Sequence, residues 1–234
     1  MASVEQLTRA AQSGDTDAQC HLAELYENGT GVAQDYVAAA QWYRVAAEAG
    51  NVEAQVGFGR CLHFGLGVEQ NPAEARRRYL TAIKGGAVAA YVLLGLLYFQ
   101  RLGVPKDSKV AAKNFRCAAE RGLPEGQYYL GWCFSEGEGV RRDDRQAVLW
   151  LTKSAESGYP EAMTALGAMH VKGRAGPTNL SEAYVWLSLA VTLGDEHAHA
   201  ELQLLVPRLT PDQIRNAEAI LASKNLELRM SLED

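Results

Sequence analysis

Residues 18–51 read AQCHLAELYENGTGVAQDYVAAAQWYRVAAEAGN, and residues 125–159 return to the same pattern as EGQYYLGWCFSEGEGVRRDDRQAVLWLTKSAESGY. A shift of 36 residues superposes the chain on itself along almost its whole length, and such a period means a stack of like units. Gly14, Gly50, Gly86, Gly122, Gly158 and Gly194 stand 36 apart without an insertion, and Gly31, Gly67, Gly103 and Gly139 form a second column. Ala18, Ala54, Ala90, Gly126, Ala162 and Ala198 form a third, and Leu22, Phe58, Leu94, Leu130, Leu166 and Leu202 a fourth.

Each unit resolves into two helices. In the first unit, Ala18, Leu22, Leu25 and Tyr26 recur at helical spacing over Thr16 to Asn28, and Gly29 and Gly31 end the helix. A column of Asp35, Asn71, Asp107, Asp143 and Asn179 precedes the second helix, where a short side-chain oxygen accepts from the first-turn amides. Pro72 follows Asn71 at a position where its missing donor costs nothing. The second helix buries Ala39, Trp42, Tyr43 and Ala46, and Gly50 terminates it. Gly59, Gly95, Gly131 and Gly167 fall inside the first helices, at a cost of about 1 kcal/mol each against alanine, which points to close helix approach. Helix pairs of this kind cannot bury their faces alone, so they stack.

The alanine, Leu-Gly, Gly-x-Gly-Val and Trp-Tyr columns resemble the Sel1-like repeat, a relative of the tetratricopeptide repeat, over roughly residues 15 to 206. The implied fold is all-α, a right-handed α/α superhelical solenoid of 36-residue helix-turn-helix units with capping helices. The units fall at 15–50, 51–86, 87–122, 123–158 and 159–194, with an N-terminal capping helix at 1–14, C-terminal capping helices at 195–224 and a tail at 225–234. Thr210 and Gln213 form a capping box around Pro211. Arg101 in place of a loop glycine, Ala175-Gly176 in place of Gly-Val, and Arg78 and Asn114 in place of tryptophan depart from the pattern.

Composition restricts the function. The 234 residues carry 23 basic and 28 acidic side chains, which gives a polyanion such as nucleic acid little to grip. MASVEQLTRAAQ has no basic-then-apolar secretory pattern, so a cytoplasmic protein is expected. The sixteen uncharged residues between Lys84 and Arg101 fall short of the about 20 that membrane insertion requires. His197 and His199, two apart on a helix, point away from each other, and His170 shares the column of Tyr26, Tyr98 and Phe134, so neither reads as a metal ligand. No HExxH, P-loop, GxSxG or SxxK pattern occurs, and no catalytic residue, metal or cofactor is expected. Cys61 and Cys133 share a core column two units apart, roughly 20 Å at ordinary helix spacing, and Cys20 and Cys117 have no partner at a repeated spacing, so reduced thiols are expected. The resemblance also implies an alternative, a β-lactam-binding hydrolase like the cysteine-rich Sel1-like proteins with a disulfide in each repeat, and the missing staple weakens it.

Large apolar residues outside the repeated columns call for another explanation. Asp17, Cys20, Glu24 and Glu27 form a stripe opposite Ala18 and Leu22, expected to be exposed, and the resemblance to tetratricopeptide arrays implies that first helices line a concave groove. The stripe continues through Arg60, His63 and Phe64, then Val92, Leu96 and Phe99, then Tyr128, Trp132 and Glu136. These nine residues are the expected partner-binding set, with Trp132 the one tryptophan off the core column of Trp42, Trp150 and Trp186. Two further outcomes follow from the same stripe: groove-mediated self-association into a homodimer, and burial of part of it between neighbouring first helices. The leading expectation is a non-enzymatic adaptor holding a peptide or helix of another protein.

Overall fold

The computed structural model describes residues 3–100 and 106–233, with side chains through residue 224. Among the described residues all regular structure is helical: thirteen α-helices and one short 3₁₀ turn at Val206–Arg208. Arg101 and Gly103 lie outside the described residues.

The chain divides into two compact units, Met1–Asn114 and Phe115–Asp234. In the first, α1 (Val4–Gln12) is a lone helix started by a capping box of Ser3 and Gln6. It packs on α2 (Thr16–Asn28), which pairs with α3 (Tyr36–Glu48); α4 (Val52–Phe64) pairs with α5 (Pro72–Lys84), and α6 (Ala89–Phe99) follows. Each pair packs on the next, α3 on α4 and α5 on α6, the order of an α-solenoid. The helix α7 (Ser108–Ala119) contains the division. In the second unit, α8 (Pro124–Glu136) pairs with α9 (Asp144–Glu156) and α10 (Pro160–Val171) with α11 (Leu180–Thr192), and α12 (Glu196–Leu205) and α13 (Pro211–Glu233) close against α11.

The expected caps form. Asp35, Asn71, Asp107, Asp143 and Asn179 each accept from first-turn amides of the following helix at 2.9–3.1 Å. Asp15, Asn51 and Asp195 do the same for first helices. Thr210 and Gln213 exchange both hydrogen bonds of their capping box. The helix they start runs to Glu233, so residues 225–233 continue α13 where a separate tail was expected.

Two devices set the spacing between helices. The amides of Gln19 and Gln55 donate to the carbonyls of Ala11 and Ala47, eight residues earlier, tying each first helix to the end of the helix before it. Glycine then permits contact within a pair: a Cβ on Gly59 would lie 2.6 Å from the Tyr79 ring, and one on Gly131 2.7 Å from Leu151 Cγ. Where Arg78 replaces tryptophan, its guanidinium pairs with Glu74 at 2.7 Å and stands 5.2 Å over the Phe58 ring, so a cation–π contact takes over aromatic packing.

Candidate partner-binding recesses

The expected stripe is only partly a surface. His63 and Val92 are fully buried, which removes them from any set of partner contacts. The cause is contact between successive first helices, α4 and α6, which closes over the middle of the stripe. His63 Nδ1 stands 3.3 Å from the Tyr79 hydroxyl and its ring stacks on Phe64 at 4.2 Å. Burial pushes the His63 pKa down, with the Gln100 side chain opposing. Cys20, also expected on the exposed face, is 3% exposed.

Of the remaining members in the first unit, Phe64 is exposed, and Arg60, Leu96 and Phe99 are half-buried. Lys106 Nζ lies 4.9 Å over the Phe99 ring. Arg60 and Glu27 form an ion pair, and the Tyr43 hydroxyl donates to the same carboxylate at 2.8 Å. Burial and this hydrogen bond push the Tyr43 pKa up; burial works against the Arg60 charge, but Glu27 outweighs it and raises the Arg60 pKa. Beside this cluster is a recess of 390 Å³ lined by Glu24, Tyr43, Glu53, Val56, Gly57 and Arg60, with Ala87, Val88 and Ala89 from the start of α6.

In the second unit, Tyr128 and Trp132 are half-buried and Glu136 is exposed. The Tyr128 ring packs between Tyr129 and Tyr159, with centroids at 5.1 and 5.3 Å, so much of its face is already covered. Trp132 borders a recess of 160 Å³ whose other walls are Leu151, Ala165, Ala168 and Met169, with Ser135, Glu136, Lys172 and Arg174 around it. That volume is close to that of a cavity able to hold a benzene ring. Arg174 fixes one edge by pairing with Asp144 at 2.7 Å and Glu136 at 3.4 Å and donating to the Ser135 carbonyl. The Ser135 hydroxyl and Arg174 together hold the Glu136 carboxyl below its ordinary value.

The two recesses occupy the same place in the repeat. Glu24, Tyr43, Gly57 and Arg60 become Trp132, Leu151, Ala165 and Ala168 on adding 108, three periods of 36. Each lies between one first helix and the next, with a small residue, Gly57 or Ala165, making the room. Sequence reading isolated Trp132 but missed Ala165, Ala168, Met169 and Arg174. The available signal was the run of small side chains one period after a large one.

Five consecutive stretches, 16–51, 52–86, 88–123, 124–159 and 160–195, match the Sel1 repeat. No curated protein sequence matches the chain at a significant level. Among solved structures it is similar to a protective antigen of uropathogenic Escherichia coli strains that displays an SLR fold, at 29% identity and a TM-score of 0.86 over 96% of this chain and 48% of that one, so it spans about half of that relative. A Sel1 repeat protein from Oxalobacter formigenes is 32% identical with a TM-score of 0.74, over 81% of this chain and 78% of that one. An immunity protein from Pseudomonas aeruginosa, at 20% identity and a TM-score of 0.57 over 83% and 75% of the two chains, shares the fold.

Proposed function

Because the chain belongs to the Sel1 repeat family, whose repeats generally serve as protein–protein interaction scaffolds, we propose that it is a non-enzymatic adaptor that takes an apolar side chain of a partner protein into the recess beside Trp132. The observation that carries this reading is the pairing of a half-buried tryptophan on α8 with Ala165 and Ala168 on α10, above a floor of Leu151 and Met169. A large aromatic beside small residues makes the kind of pocket in which interfaces concentrate their energy. Burying one leucine-sized side chain there contributes about 2 kcal/mol. Lys172, exposed at the rim and without an ion pair among the described residues, favours a partner segment with a carboxylate near its apolar anchor.

The test is affinity capture from a bacterial lysate on immobilised full chain. Proteins retained by the wild type should be lost with Trp132→Ala while the helical circular dichroism signal is unchanged. Equal recovery by the variant overturns the reading, and a second copy of this chain as the retained protein, confirmed by light scattering, turns it into self-association. Incubation with a labelled penicillin is expected to leave the chain unlabelled.

A further inference from the structure

One cluster in the first unit sets a buried thiol, Cys20, beside two carboxylates of the 390 Å³ recess, Glu24 and Glu53. Cys20 sits in the second turn of α2, 3% exposed, and its thiol meets no hydrogen-bond partner among the described residues. Its Sγ and the carboxylate oxygens of Glu24 and Glu53 all lie within 4.8 Å of one another. Glu24 follows Cys20 by one helical turn and so shares its face. Glu53 comes from the first turn of α4, and the Asn51 amide, which donates to the Asp17 carboxylate at 2.8 Å, fastens that turn to the start of α2.

The charges around the cluster are unbalanced. Asp17, Glu24, Glu27 and Glu53 face it from α2 and α4, against His21 and Arg60, and Arg60 is already paired with Glu27. Burial, with the like charges adding to it, pushes the Cys20 thiol up to about 12, and burial raises the Glu24 carboxyl against the pull of His21. A buried thiol without a hydrogen-bond partner among the described residues, beside two carboxylates turned toward the same point, is a good set of metal ligands. Sulfur and carboxylate oxygen are ordinary zinc donors, at about 2.3 Å and 2.0–2.2 Å from the ion. Around a tetrahedral ion such atoms stand about 3.5 Å apart, so a small rotation of the two exposed glutamates closes the set.

We propose that Cys20, Glu24 and Glu53 bind one thiophilic divalent cation of the Zn²⁺ class, leaving its fourth position open to water on the side of the Glu24–Glu53 recess. On binding, the Cys20 thiol releases its proton to solvent and the thiolate sulfur takes the metal bond, so the exchange is one proton out for one cation in, without oxidation. The position is peculiar to this repeat, because the same three places three periods later hold Tyr128, Trp132 and Glu161.

Titration of the full chain with Cd²⁺, followed by the thiolate-to-metal charge-transfer band in the ultraviolet, tests this. The expected result is saturation at one equivalent, release of about one proton per ion, and displacement by Zn²⁺. Cys20→Ser should abolish the band, and Glu53→Gln, which keeps the thiol, should weaken binding by at least tenfold. A band that persists in Cys20→Ser comes from Cys61, Cys117 or Cys133 and overturns the proposal, as does the lack of a saturable band. Should Cys20→Ser fail to fold, the exposed pair Glu24→Gln with Glu53→Gln decides: unchanged Cd²⁺ affinity in that variant also overturns it.

Discussion

Arg174 Nη2 lies 2.7 Å from Asp144 Oδ1, joining the segment after α10 to the first turn of α9 across thirty residues of sequence. Nε of the same guanidinium also reaches both oxygens of Asp144 at 3.2 Å, so the pair is forked. Fork geometry makes it stronger than an ordinary surface pair, though partial exposure keeps the gain modest.

Arg174→Ala should therefore destabilise the second unit by about 1–2 kcal/mol, part of it from the orphaned Ser135 carbonyl, as read by urea unfolding. The Asp144 carboxyl is held at about 2, chiefly by its hydrogen bonds from Arg174 and Arg142. A carboxylate with a depressed folded pKa stabilises the fold fully above its unfolded value of about 4 and loses that contribution as the pH falls toward 2. The difference between wild type and Arg174→Ala should shrink over that window. A difference that stays constant down to pH 2 contradicts the assignment.

Gly59→Ala sets two effects against each other. Helix propensity favours alanine by about 1 kcal/mol, while the new Cβ would stand 2.6 Å from the ring of Tyr79, which is fully buried and has nowhere to go. Overpacking of this kind costs about 1–3 kcal/mol, so the net change should be destabilising by about 1 kcal/mol. Thermal unfolding that moves upward would show that the pair can spread without loss.

His63 supplies a pH dependence of the first unit. It is buried and its pKa lies below the ordinary value, so between the folded and unfolded values only the unfolded chain takes up the proton. Stability should fall as the pH drops below about 6.5. His63→Leu should flatten this slope in the first unit, while His170, whose pKa burial also lowers, gives the second unit a slope of its own. An unchanged slope in the variant would remove His63 as its source.

The recess beside Trp132 can be filled without deleting anything. Ala168→Leu puts a larger side chain into its 160 Å³ and should weaken partner capture by roughly tenfold, about 1.4 kcal/mol, while leaving the fold intact because Ala168 is only half-buried. The matching change in the first unit, Gly57→Ala, is not a fair control, since its Cβ would meet the Tyr43 ring at 2.5 Å.

The repeat, the helix pairs and the caps were all legible in the chain. They depend on local chemistry: apolar residues at helical spacing, an Asx oxygen ahead of a first turn, a glycine where the backbone turns left-handed. At Gly50 that turn has φ of +95°, as its column requires. Tyr128 and Trp132 stand out in the sequence because a large side chain outside a repeated column needs no knowledge of neighbours to be noticed.

What the period could not tell is how closely successive first helices approach, because that depends on side-chain volumes brought together from different units. The contact of α4 with α6 buried His63 and Val92, and packing buried Cys20 as well, although the helical wheel placed all three on an open face. The same stacking set Ala165 beside Trp132 and brought Glu53 of α4 to Cys20 and Glu24 of α2. The sequence by itself determined the units and their faces, since those follow from periodicity within one helix; tertiary packing alone decided which parts of a face remain open, since that is a property of two helices at once.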